Sequence, residues 1–213
     1  IRGSDGDDVF RFANYTGDNR VERIDGGAGY NRIVSGAFHG HIDFSTTELV
    51  NIARIEGSDG DNQITGSAGN DVIAGGAGKD YLAGGLGNDT YMLGRGDGTD
   101  TVAENDSTAG NTDVAQFLSG IAADQLWFRK AGNNLEASII GTGDKLVIKD
   151  WYLGDAYRVE EFKTADGNMT LLSGQVENLV SAMASFTPPA SGQTTLPQNY
   201  QDALAGVIAA NWQ

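Results

Sequence analysis

The chain has 213 residues, with 29 acidic against 14 basic side chains, a formal net charge of −15 and no cysteine; its pI is near 4.3. That balance excludes nucleic acid and anionic membrane surfaces as partners, because both are bound through Lys and Arg. The lack of thiols excludes a disulfide framework, and no apolar run approaches the roughly eighteen residues of a membrane span, so no membrane insertion is expected.

The first recognisable phrase is GSDGDDVFR at 3–11, with Asp8 in sixth place and Phe10 in eighth. A second, GGAGYNRIV at 26–34, has Asn31 and Ile33 at those places. The two begin 23 residues apart, which is not a multiple of nine, so their coils must bulge; this argues against a direct pairing of Asp8 with Asn31. Between 36 and 56 the glycine phrase is lost. Ile42, Phe44, Leu49, Ile52 and Ile55 predict short strands in wider coils that continue the same stack. The only two histidines lie here, in His39-Gly40-His41. On a strand they would share a face with Asp43, yet no third nitrogen or sulfur ligand stands at clear spacing, and an exposed strand face is the expectation.

From 57 to 92 the phrase repeats four times without a gap: GSDGDNQIT, GSAGNDVIA, GGAGKDYLA and GGLGNDTYM. Each reads G-[GS]-x-G-x-[DN]-x-U-x. The large apolar U is Ile64, Ile73, Leu82 or Tyr91, and the sixth residue is Asn62, Asp71, Asp80 or Asp89. A fixed period with fixed chemistry marks a stacked repeat. Glycines permit tight turns, and x-U-x is long enough for a three-residue strand whose alternation sends U to one face. Two phrases then make one coil, and turns on one side recur every eighteen residues. Asn62 therefore falls over Asp80, and Asp71 over Asp89. Carboxylates stacked at that spacing repel one another, and a hard cation between them removes the repulsion; calcium accepts six to eight oxygens from carboxylates and carbonyls. An EF-hand reading of 59–62 fails, since neither its glycine nor its terminal glutamate is present.

These phrases resemble the RTX family of secreted bacterial proteins, whose repeats fold as a parallel β-roll with calcium in the turns. The resemblance implies that an earlier turn gives the carbonyls of positions two and four with its sixth side chain. A later turn gives the carbonyls of positions one and three with its own. One site would then join Ser67, Gly69 and Asp71 to Gly84, Leu86 and Asp89. A second would join Ser58, Gly60 and Asn62 to Gly75, Ala77 and Asp80, weakened because Asn62 replaces the favoured Asp. A third would join Gly76, Gly78 and Asp80 to the shifted phrase RGDGTDTVA through Asp97 and Asp100. Asp8 and Asn31 would serve the outlying phrases.

Residues 1–113 hold 22 of the 31 glycines and a net charge of −11, so the character of the chain changes after about residue 112. Leu126–Arg129, Leu135–Ile140, Lys145–Ile148 and Arg158–Phe162 read as strands between Gly/Asn/Asp turns. Trp127, Phe128, Trp151, Tyr152, Phe162, Leu171 and Leu172 are candidates for a compact core. Terminal repeats need a cover, since an open coil end leaves backbone groups unpaired. The sequences LWF, GTGDKLVIKDWY, VEEF and ADG resemble the small β-rich domain that follows repeats in haemolysin-type calcium-binding proteins. Val176, Leu179, Val180, Met183 and Phe186, then Tyr200, Leu204, Val207, Ile208 and Trp212, recur at helical spacing on either side of Thr187-Pro188-Pro189. Two helices packed on the preceding domain are expected, with an uncleaved type I export signal as the functional alternative.

The expected fold is all-β: a parallel β-roll over 1–111, a small β-rich capping domain over 112–172, and a partly helical tail over 173–213. No G-x-S-x-G, H-E-x-x-H or P-loop occurs, and the regular period assigns most carboxylates to metal, so no enzyme is expected. An ice-binding face would need threonine in register, whereas position three carries Asp59, Ala68, Ala77 and Leu86. Ile1 is not a natural start and the first phrase is already a repeat, so the chain is expected to end a longer secreted or cell-surface protein, exported without an amino-terminal signal peptide by type I secretion machinery and carrying an upstream passenger domain. The expected role is a calcium-dependent folding and export module. The alternatives are an accessory, substrate-binding domain of a secreted lipase, protease or polysaccharide-modifying enzyme, or the terminal module of an adhesin.

Overall fold

The computed structural model describes residues 1–16, 21–36 and 38–213. Its first strands are β1 (Val9–Phe12), β2 (Arg23–Asp25), β3 (Arg32–Ser35), β4 (His41–Asp43), β5 (Glu48–Val50) and β6 (Arg54–Glu56). Through the four contiguous phrases run β7 (Gln63–Thr65), β8 (Val72–Ala74), β9 (Tyr81–Ala83) and β10 (Thr90–Leu93), followed by β11 (Thr99–Val102) and β12 (Val114–Phe117). Then come β13 (Leu126–Ala131), β14 (Asn134–Ile139), β15 (Lys145–Ile148), β16 (Glu161–Thr164) and β17 (Thr170–Leu172), and two helices, α1 (Val176–Met183) and α2 (Gln198–Asn211).

Alternate strands enter opposite sheets, which is the winding that two phrases per coil dictate. One sheet runs β1-β3-β6-β8-β10-β12-β16-β17 and the other β4-β7-β9-β11-β15-β14-β13, with β2 and β5 paired separately. Within the roll the pairing is parallel and in register: Ile55 beside Ile73 beside Tyr91 in one sheet, and Ile42 beside Ile64 beside Leu82 in the other. All six side chains are fully buried between the sheets. Their strand neighbours point outward, where Arg32 and Arg54 both pair with Glu56.

Close stacking of the turns is why they are glycine-rich. Gly76 and Gly78 adopt φ of +91° and +142°. A Cβ on Gly76 would stand 2.7 Å from the Ser58 carbonyl oxygen, and one on Gly78 would stand 2.7 Å from that of Gly60. No L side chain fits either the conformation or the space.

Coils of unequal length stack nonetheless. β1 pairs with β3 in parallel, Val9 opposite Arg32, and the Asp8 N–H donates to Asn31 Oδ1 at 2.9 Å. The expectation against this pairing is thus corrected. Turns 3–8 and 26–31 stack directly, the Gly6 N–H donating to the Ala28 carbonyl at 3.2 Å. The wider coils over 36–56 are present, with Ile42, Phe44 and Ile55 buried and Leu49 and Ile52 half-buried.

After β12 the sheets run on without a break, but their sense changes. β15 adds to β11 in parallel, and β14 and β13 follow antiparallel. β16 adds to β12 in parallel, and β17 closes that sheet antiparallel. Each sheet therefore ends in a hairpin. The strand expected at 158–162 begins later, at Glu161, because Asp155–Tyr157 form a short 3-10 turn first. Trp127, Phe128, Trp151, Phe162 and Leu171 are buried; Leu172, expected in the core, is 44% exposed because it follows Leu171 on the other face of β17. α1 packs on β13 and on α2. Val176, Leu179, Val180, Met183, Leu204 and Ile208 face inward, and Trp212 bridges back to Leu171. Among the described residues no helix is long and apolar enough to cross a membrane.

Candidate metal centre

The sixth residue of each phrase stands two places before U and so shares its parity. The sixth side chains accordingly point into the roll, and Asn62, Asp71, Asp80, Asp89, Asp100 and Asp113 are all buried. They form one ladder along each edge. On one edge Asn62 N–H donates to Asp80 Oδ1 at 2.7 Å and Asp80 N–H to Asp100 Oδ1 at 3.1 Å. On the other, Asp71 N–H donates to Asp89 Oδ1 at 2.8 Å and Asp89 N–H to Asp113 Oδ1 at 2.8 Å. Asp80, Asp89, Asp100 and Asp113 thus each use one oxygen to clamp the backbone of the coil before them.

The second oxygen decides what else the turn can hold. In the turns opening with serine, Ser67 N–H and Oγ donate to Asp71 Oδ2 at 2.6 and 2.8 Å, and Ser4 N–H donates to Asp8 Oδ2 at 2.8 Å. Asp80, Asp89 and Asp100 are different: Oδ2 of each is buried with no hydrogen-bond partner. An unpaired buried carboxylate oxygen is costly. Burial pushes Asp89 up to about 7, with repulsion from Asp71 and Asp113 adding to it. Burial, then repulsion from Asp80, pushes Asp100 up to about 8. Asp71 and Asp80 are raised for the same first reason, loss of solvent. Without a neighbouring cation, burial makes the charged form of each of these carboxyls costly.

The residues expected to form the first site are brought together. A Cβ on Gly87 would stand 2.9 Å from the Gly69 carbonyl oxygen, and one on Gly85 would meet that of Ser67, so turn 67–71 lies face to face with turn 84–89. Gly84 abuts Asp89, while Leu86, at position three, leaves its side chain 52% exposed. In the second set, Gly75 abuts Asp80, and the Ala77 carbonyl accepts the Gly60 N–H. The Ser58 and Gly60 carbonyls are already taken: Asn62 Nδ2 donates to Ser58 O at 3.2 Å and also to Gly60 O. In the third set, Asp100 enters the ladder above Asp80. Asp97 does not; its Oδ2 accepts the Gly94 N–H at 2.6 Å. Gly78 meets this turn through its N–H to Asp97 O and its carbonyl to Thr99 N–H, at 2.8 and 2.9 Å, and Gly76 faces Ser58. Asn31 is bonded differently from Asn62, its amide donating to Asn51 O at 3.1 Å and to Ala28 O, at position three of its own turn, at 3.3 Å.

Orphaned carboxylate oxygens, adjacent backbone carbonyls and an all-oxygen donor set fit a hard divalent cation, calcium above all. The histidines do not contribute. His39 lies before β4, exposed and edge-on to Phe38, so the shared strand face expected of His39 and His41 does not form.

Three features escaped the sequence reading. Position five makes a ladder of the opposite sense: Asp61 Oδ1 accepts Lys79 N–H, Asn70 Oδ1 accepts Asn88 N–H and Asn88 Oδ1 accepts Thr112 N–H, at 2.8 to 2.9 Å. The polar residue before each sixth residue was its only signal. The Asp71–Asp89–Asp113 ladder ends on a carboxylate from the later segment, Glu160 Oε2 on Asp113 N–H at 2.8 Å, and at the other edge Asp144 accepts the N–H groups of Gly96 and Gly98 at 2.9 and 3.0 Å. Finally, Asp89, Glu104 and Asp113 offer one carboxylate oxygen each within 4.8 Å of one another.

Compared with known protein families, residues 16–37 and 56–91 match the RTX calcium-binding nonapeptide repeat in four copies. Residues 134–169 match the haemolysin-type calcium binding protein related domain.

Proposed function

We propose that this chain, which carries RTX calcium-binding repeats and a haemolysin-type calcium-binding-related domain, is a calcium-dependent folding and export module of a secreted protein. The observation that supports the reading best is the stack of buried carboxylates in which Asp80, Asp89 and Asp100 each keep an Oδ2 without a hydrogen-bond partner. Calcium bound by Asp71 and Asp89 with the Ser67 and Gly69 carbonyls, and by Asp80 and Asp100 in the next turn pair, would neutralise that charge. The three-residue strands bury one large apolar side chain per nine residues, too little to offset the ordering of so many glycines without metal. Metal binding is then part of the folding free energy.

Sites in extracellular modules bind calcium with dissociation constants of about 10⁻⁴–10⁻³ M. At cytosolic calcium the repeats stay unfolded and threadable, and they fold on reaching calcium outside. A chain without cysteine suits that journey, since no disulfide can trap it on the way. The role involves no catalysis by these residues; the acidic groups serve the metal and the backbone clamps.

Far-ultraviolet circular dichroism of metal-stripped protein, followed by a calcium titration, tests the reading. The expected result is a gain of β signal on adding calcium and its loss on chelation. An identical spectrum in both states would overturn it.

A further inference from the structure

We propose that a divalent cation also binds where the repeats meet the segment behind them, held by the carboxylates of Asp89, Glu104 and Asp113. The site lies partly outside the nonapeptide phrases, and its third acid has no counterpart in them. It goes beyond calcium binding by the regular turns and can fail separately from it.

Register locates Glu104. Thr101 pairs with Tyr81 and Val102 with Leu82, and the Ala103 N–H continues to the Leu82 carbonyl at 2.8 Å. Glu104 therefore stands opposite Gly84, the first residue of its phrase. At Gly84 a side chain is barred, since a Cβ would come 2.6 Å from that of Asp89 and collide with its carboxylate. The chain takes a longer path from Glu104 to Asp113 than from Gly84 to Asp89, and that path gives a side chain room. A position reserved for glycine in the regular turns here carries a third carboxylate.

The carboxylates converge without neutralising partners. Asp89, Glu104 and Asp113 are 1%, 3% and 3% exposed, and none of the ion pairs among the described residues involves them. Asp89 Oδ1 is occupied by Asp71 N–H, but Oδ2 has no partner. That oxygen lies against Gly84. The Gly84 N–H donates to Tyr91 Oη at 2.6 Å, and Tyr91 in turn donates to Glu104 Oε1. The orphan oxygen is thus turned toward the Glu104 carboxylate, which Tyr91 holds in place. Three buried carboxylates whose oxygens lie within 4.8 Å of one another repel unless a cation lies between them. Three carboxylates and no nitrogen or sulfur donor favour calcium over a transition metal.

The consequence is coupling. Asp89 opens β10, Glu104 follows β11 and Asp113 opens β12, while the Asp113 N–H donates to Glu160 beside β16. An ion here ties the last regular coil to the strands that close the stack.

The test compares the full chain with E104Q, whose amide oxygen can still accept from Tyr91. Calcium is counted by flow dialysis, and terbium binding is followed by luminescence excited through the aromatic side chains. E104Q is expected to bind one calcium fewer, and one terbium fewer, per chain while the roll still folds on calcium. An unchanged calcium count and midpoint in E104Q would overturn the site alone; a parent chain that binds no calcium would overturn the regular sites with it. If E104Q does not fold, E104D, which keeps the charge but shortens its reach, decides the matter: a weakened or missing calcium step supports the site, and a titration identical to the parent's overturns it.

Discussion

The Asn62 carboxamide nitrogen lies 3.2 Å from the Ser58 carbonyl oxygen and also donates to that of Gly60. These are the two carbonyls that a calcium ion in this turn would use, so the amide stands where the ion's charge would act. N62D should add a bound ion, raising the calcium count by one in flow dialysis. Without calcium the same variant should fold less well than the parent, because it places a further charge beside Asp80 and gives up two hydrogen bonds worth about 1 kcal/mol each.

Asp80 and Asp8 occupy the same place in their phrases but not the same surroundings. Asp80 is 2% exposed, clamps the Asn62 N–H and lies under Asp100. Asp8 is half-buried in an outlying turn and bonded to Ser4. D80A should cost roughly 3 kcal/mol in calcium and D8A roughly 1. Thermal melts at saturating calcium check the ranking, and equal shifts would contradict the stacking of turns 58–62, 76–80 and 94–100.

Ile73 lies between Ile55 and Tyr91 in the interior row. It is fully buried, so I73A should lose about 2–5 kcal/mol, the usual range for truncating a packed core side chain. The loss should appear at saturating calcium, since the site ligands are untouched. Denaturant unfolding in calcium measures it.

Proton and metal should compete for the same carboxylate oxygens. In the metal-free chain burial raises Asp89 to about 7 and Asp100 and Glu104 to about 8, whereas unfolded carboxyls titrate near 4. The folded state then retains protons that the unfolded chain releases. Its stability from these groups is full below about pH 4 and is lost as pH rises through about 7 to 8. Metal-stripped protein should therefore be more ordered at pH 5 than at pH 8 by circular dichroism. With calcium the ion competes for the same oxygens, so the calcium midpoint should rise on acidification.

The strictly periodic part of this architecture was legible in the sequence. Ile64, Ile73, Leu82 and Tyr91 face inward because period and alternation leave no other place for them, and Asn62 over Asp80 follows from coil length alone. Other relationships depend on paths that spacing does not encode. Asp8 meets Asn31 because β1 and β3 pair in register although their phrases begin 23 residues apart. Glu104 reads as an ordinary acid in a loop until strand register sets it opposite Gly84. The histidines look like strand partners, but the strand begins only at His41. The strands after β12 were visible as apolar segments, whereas their division between two sheets already under way was not, because pairing partners are chosen by the coil that precedes them.

The turns are clamped coil to coil, with position-six side chains holding the coil before and position-five side chains the coil after. A pull applied across the stack therefore loads these rungs in series, like links rather than parallel cables. Extension should proceed by peeling, each regular coil releasing the 18 residues that separate Gln63 from Tyr81. At the closing end the antiparallel hairpins of β13–β14 and β16–β17 replace this coil-by-coil stacking, so peeling of that kind stops there.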